Sequence, residues 1–180
     1  MIMIILWITV SFNFYLLNFY LSNMEGSINL NSLYSGIAMI IAFAISGPII
    51  HELGYKISFI CFFTLTLLAS ILYVSLENKS DQMIAILVFA ARFGICPCYS
   101  LTFLCSNNLF PDAVKSSLFG FCNIIARSLC IFAPLVAEIK DPIPFTFVLG
   151  LSALCGFCTF FLDYKVKERI ETKLAENDDK

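Results

Sequence analysis

The chain has 180 residues, of which 59% are hydrophobic and 13% charged, with a formal net charge of -2 and a mean hydropathy of +0.88. Soluble domains carry about 25% charged and 45–50% apolar residues, so this chain has too little polar surface to coat a globule in water, and its solvent is lipid. That excludes a soluble enzyme and a nucleic-acid-binding domain, while the small net charge says little about partners because the charges gather in connectors and one tail.

Apolar runs of about 20 residues, enough to cross a hydrocarbon core of roughly 30 Å, recur six times: near 1–22, 32–50, 57–76, 83–106, 115–136 and 143–163. Backbone polar groups in lipid must be satisfied internally, so these runs are expected to be helices. Continuous apolarity, in place of alternation, argues against barrel strands. The first run lacks a basic flank and a small-residue cleavage site, so it is read as a span and not a signal peptide. It opens at Met1 with no cytoplasmic flank, and the expectation is that the chain is part of something longer.

The connectors are short and polar: SNMEGSINLN, HELGYK, LENKSDQ, NNLFPDAVK and AEIKDP. Residues 1–163 are therefore expected to form one all-α, multi-pass bundle of six transmembrane helices. Residues 164–180, YKVKERIETKLAENDDK, are expected to form a charged tail. With six spans both termini share a side, and that side holds Lys56, Lys115, Lys165, Lys167 and Arg169 against Lys79 and Lys140 opposite. Positive residues favour the cytoplasm, so both termini are placed there. The tripeptide Asn78-Lys79-Ser80 is a glycosylation sequon in a connector that this topology puts outside.

Two spans contain an arginine, and an ionisable group at membrane depth marks a solute path or a charged ligand by default. Arg127 lies midway along the fifth span, in NIIARSLCIFAP, and its planar fork suits a carboxylate or phosphate. Arg92 lies in the fourth span beside Ala90, Ala91 and Gly94, small residues that permit close helix approach. It reads equally as a second cationic wall or as a packing arginine. No Asp or Glu falls inside any expected span to neutralise either one. Tyr15 and Tyr99, each an aromatic with a polar handle, complete the candidate binding set. Pro97 and Pro134 allow a broken or kinked helix.

The eight cysteines lie in or beside apolar runs and read as small hydrophobes. Cys155-x-x-Cys158 has metal or redox spacing, but the single histidine, His51, sits in a connector. No metal, no cofactor and no acid–base cluster is expected, and so no enzyme.

The opening SFNFYLLNFYLSNMEGSINLN resembles the seventh helix and following loop of the organic cation, anion and zwitterion branch of the major facilitator superfamily. The pattern there is S-F-x-Y-Y-G-L-x-x-N-x-x-N-L-x-G-D-I-Y-L-N. Ser11, Phe12, Tyr15, Leu17, Asn23, Gly26, Ile28, Leu30 and Asn31 match it, whereas Phe14 and Leu16 depart from Y-Y-G. A second block resembles G-K/R-F-G, A-E-L-F/Y-P-T-x-x-R and A-R-x-G-G-I-x-A-P through Arg92, Phe93, Gly94, Leu109, Phe110, Pro111, Ala126, Arg127, Ile131, Ala133 and Pro134. The likeness runs from about residue 7 to 163.

The resemblance implies the C-terminal six-helix half of a twelve-helix secondary transporter. Such a protein carries a small organic ion by alternating access in the plasma membrane, with the missing N-terminal half or a second chain as partner. It also implies gating roles for the connector residues Asn108, Pro111, Asp112, Lys115, Gly54 and Lys56. Asn108 replaces an acid there, Asp112 a threonine, Lys115 an arginine, and His51 and Glu52 an acid–base pair. Anion-handling members carry arginine at the position of Arg127 and lack the glutamate that cation-handling members have near Met39, so an anionic or zwitterionic solute is implied. The alternative is a non-transporting membrane protein that scaffolds or regulates a full-length relative.

Overall fold

The computed structural model describes residues 2–24, 26–76, 80–110 and 114–160, with Leu109 and Phe160 described by backbone alone. The expectations for Asn78, Pro111, Asp112 and the 164–180 tail lie outside the described residues. Within them the chain is helical: α1 (Ile2–Tyr20), α2 (Ile28–Ser75), α3 (Asp81–Leu109), α4 (Lys115–Cys130), α5 (Ala133–Ala137) and α6 (Ile143–Phe160). Among the described residues four stretches are long and apolar enough to cross a membrane: Ile2–Tyr20, Ile28–Ser75, Asp81–Asn108 and Lys115–Ala137. Ile143–Thr159 is a shorter apolar helix.

Two expectations change in detail. The connector HELGYK does not loop out. Residues 51–56 stay within α2, and the helix breaks at Gly54 alone, where φ is 74° and ψ 170°. That left-handed backbone suits glycine, which has no Cβ to strain. The second and third apolar runs thus become two arms of one element. The fifth run is interrupted near residues 131–132. Pro134 has no N–H to give the carbonyl four residues back, and its ring crowds that carbonyl. The Phe132 amide bonds Leu129 O at three-residue spacing (3.1 Å), and Pro134 sits in the first turn of the short α5. Pro97, by contrast, is buried in an α3 that continues through it.

Helix α3 begins with Ser80, whose side chain accepts from the Met83 amide at 3.4 Å, and with Asp81 in the first turn. Both features favour a helix N-terminus. Among the described residues the α2–α3 seam is the most extensive, and at Gly94 it is close. A Cβ added to Gly94 would lie 2.7 Å from Phe62 O and 2.9 Å from Thr66 N. Hydroxyls along the two helices turn back onto their own helix: Thr66 donates to Phe62 O (3.0 Å), Ser70 to Thr66 O (2.8 Å), Thr102 to Cys98 O (2.8 Å) and Ser106 to Thr102 O (2.7 Å). Each polar group is satisfied without needing a partner across the seam, so the two backbones can close on one another. Helix α2 also packs on α6, and α1 lies against α3, α4, α5 and α6.

All eight cysteines are free, six of them buried among the helices, as small apolar fillers would be. At one end of the bundle a single carboxylate ties three segments together. The Tyr20 hydroxyl donates to Asp141 Oδ1 and the Tyr73 hydroxyl to Oδ2 at 3.2 Å, while Phe145 stacks on Tyr73 with centroids 3.8 Å apart. Asn23 Nδ2 adds a bond to Ala137 O at 3.1 Å. At the other end the Asn108 amide donates to the Tyr55 hydroxyl, joining the close of α3 to the Gly54 break.

Candidate solute-binding site

Arg127 stands on the exposed side of α4, and two neighbours fix its fork. Nε donates to Asn123 Oδ1, one turn earlier, at 2.7 Å; Nη1 donates to the Tyr15 hydroxyl of α1 at 3.3 Å. A guanidinium has five N–H donors, and most of them stay open for an anion. Tyr99 of α3 joins the group, its phenol within interaction range of Tyr15 and Arg127.

An aromatic run lies under this cation. The Phe14 ring meets Tyr15 edge-on at 5.6 Å and stacks on Tyr99 at 5.1 Å. Tyr99 packs on Phe103 at 5.1 Å, and Phe103 in turn meets Trp7 (4.6 Å) and Phe119 (5.4 Å). The Trp7 indole is buried and donates to Ser106 Oγ at 2.8 Å. Phe119 carries the run to a cleft of about 390 Å³ that it lines with Asn107, Lys115 and Ser116, between the end of α3 and the start of α4.

The structure therefore brings Arg127, Tyr15 and Tyr99 together. It places Arg92 one layer deeper, fully buried (0% exposed), with Nη2 donating to Asn18 Oδ1 and Nη1 to Phe14 O at 3.5 Å. Of the connector residues, Asn108 meets the Gly54 break through Tyr55, while Lys115 lies by the cleft. Asn123, Phe14 and Asn18 are the members that sequence reasoning missed. Asn123 was open to discovery, because a residue four positions before Arg127 shares its helix face. Phe14 occupies the first tyrosine position of the resembled motif. Asn18 falls at an unspecified position and carries no such signal.

No family model matches the chain. It is 26% identical over 174 residues, 93% of its length, to the organic cation/carnitine transporter 4 of Arabidopsis thaliana. It is 25% identical over 178 residues, 96% of its length, to solute carrier family 22 member 6-A of Xenopus laevis. With member 4 of the same family in Mus musculus it shares 23% identity over 164 residues, 88% of its length. These alignments cover 32%, 31% and 29% of the relatives, so the chain spans about a third of the length of the curated proteins it matches. The likeness to organic-ion transporters drawn from the motifs is thus found again among curated proteins, and these relatives are transporters and not enzymes.

Proposed function

We propose that this chain forms one wall of a membrane path for small organic ions bearing a carboxylate, anionic or zwitterionic, and works by alternating access. On this reading it is the C-terminal half of a facilitator-type secondary transporter in the plasma membrane. Residues 1–163 make six spans: α2 counts as two arms about Gly54, α4 and α5 as one interrupted span, and α6 as the last. The tail 164–180 and both termini face the cytoplasm, and Asn78 faces outward as a glycosylation site. An N-terminal half or a second chain supplies the opposite wall, since facilitator sites form at the interface of two repeats near the midplane.

The observation that carries the proposal is Arg127. A cation on an exposed helix face, oriented by Asn123 and Tyr15 beside an aromatic run, is prepared for a planar anion. Neither α1 nor α4 contains an Asp or Glu. The binding set is Arg127, Tyr15 and Tyr99, with Arg92 behind them. Asn108, Lys115, Gly54 and Lys56, with Pro111 and Asp112, serve as the conformational joint at the cytoplasmic end. Carnitine, which appears in the name of the Arabidopsis relative, is a zwitterion with a carboxylate of the right kind.

Uptake of labelled carnitine and of benzoate into proteoliposomes holding the chain, alone and with a co-expressed N-terminal half, tests this, with choline as the cation control. Carnitine and benzoate should enter faster than into empty vesicles, and Arg127→Asp should abolish both fluxes at unchanged protein incorporation. Choline uptake equal to carnitine uptake would overturn the anion assignment. If none of the three enters, with or without a co-expressed N-terminal half, the non-transporting reading replaces transport.

A further inference from the structure

A buried guanidinium is costly at membrane depth unless its donors are engaged, and α1, the helix that engages it, carries no carboxylate. Arg92 is engaged by one turn of α1: the Phe14 carbonyl and the Asn18 side chain, four residues apart and hence on one helix face. Its Cζ lies 5.4 Å from the centroid of the Phe14 ring, within reach of a cation–π contact. The same ring stacks on Tyr99 and meets Tyr15, whose hydroxyl accepts from Arg127. Nε has no partner among the described residues, and the side chain is closed to solvent. Arg92 therefore cannot touch a solute in this conformation, yet one aromatic ring links it to both tyrosines of the site.

We infer that Arg92 is a positioning residue: it fixes the Phe14–Asn18 turn, and through the Phe14 ring sets the Tyr15 and Tyr99 hydroxyls beside Arg127, so that it tunes solute affinity without contacting the solute. The inference rests on the binding-site reading above. Lysine in its place keeps the charge but loses the flat face and the fork that span the ring, the carbonyl and the amide. Lysine cannot span all three groups, so the turn that Arg92 fixes is loosened.

The test uses carnitine uptake by the full chain in proteoliposomes, with peptide-resolved labelling of Tyr15→Cys by a water-soluble maleimide. Arg92→Lys should raise KM by roughly tenfold and leave Vmax within about twofold. Phe14→Leu should do the same, and the double variant should be no worse than the worse single, because both act through one contact. Adding Arg92→Lys should also speed labelling of Tyr15→Cys by about threefold or more, since a loosened turn exposes that position more often. Should Arg92→Lys fail to insert, Asn18→Ala removes its acceptor and is read in the same assays.

An unchanged KM overturns the inference, and so do multiplicative effects of Arg92→Lys and Phe14→Leu, which mark independent contacts. Unchanged labelling overturns it whether or not the chain transports carnitine. Loss of the binding-site reading is seen separately, as carnitine flux indifferent to Arg127→Asp.

Discussion

Asp81–Asn108 of α3 and Lys115–Ala137 of α4 and α5 have the same hydropathy, 1.8, but 67% of the apolar window is buried in the first and 17% in the second. Polarity does not separate them; the helices each one packs against do. Helix α3 presents Ala85, Ala91, Gly94 and Cys98 to its neighbours, while α4 and its extension hold Phe121 (55% exposed), Ile124 (67%) and Ile131 (71%) outward. Lipid tails are as apolar as leucine, so no hydrophobic gain draws helices together within a bilayer. Close approach of small residues does, and both stretches have it, α4 and α5 burying Cys122, Ala126, Cys130, Ala133 and Ala137. But α4 and α5 lie against α1, while α3 is held between α1 and α2. The same contrast separates the two arginines: the one on α3 is sealed within packing, and the one on α4 stands open.

The comparison breaks most easily at glycine. Gly94→Ala sets a methyl against the backbone of α2 and should cost about 3 kcal/mol, the upper part of the overpacking range. Gly120→Ala on α4 meets no atom within 4 Å and should be neutral or stabilise by about 0.5–1 kcal/mol through helix propensity. Thermal unfolding in detergent compares them, and equal melting temperatures would remove the contrast. Ser106→Ala is next. It leaves the buried Trp7 N–H without its acceptor and should cost about 1–3 kcal/mol, whereas Ser116→Ala, exposed on α4, should stay within about 0.5 kcal/mol. Asn123→Ala shifts from stability to function: it frees Arg127 and should weaken carnitine affinity roughly fivefold, about 1 kcal/mol, with melting unchanged. The smallest effect belongs to Ile124→Ala, an outward side chain, within about 0.5 kcal/mol by the same melting assay.

Length and hydropathy located the helical runs because both are summed over some 20 residues, and single substitutions hardly alter such a sum. They could not locate the breaks, which depend on one residue each. Gly54 interrupts α2 by its φ alone, where a polar six-residue stretch invited a longer loop. Pro134 divides the fifth run, while Pro97 leaves α3 continuous, and nothing in the two local sequences distinguishes them. The site shows the same limit. Arg127, Tyr15 and Tyr99 were legible as residue types out of place in lipid, and the fold gathers them from three helices. The depth of Arg92 was not, because orientation about a helix that is apolar nearly all round leaves no amphipathic trace to read.

The Asp141 carboxylate, held by Tyr20 and Tyr73, is a tie at one end of the bundle. It pins the ends of α1 and α2 to one connector, so any tilt between these helices is smallest there and grows along their length. For α1, about 28 Å long at 1.5 Å per residue, a tilt of about 10° about that point carries its Ile2 end through about 5 Å. The opposite end, spanned by the Asn108–Tyr55 bond next to a single-residue break, is where such a tilt would be largest. Asp141→Asn keeps one acceptor oxygen and Asp141→Ala keeps none, leaving the Asn23–Ala137 bond and the Tyr73–Phe145 stack to hold that end.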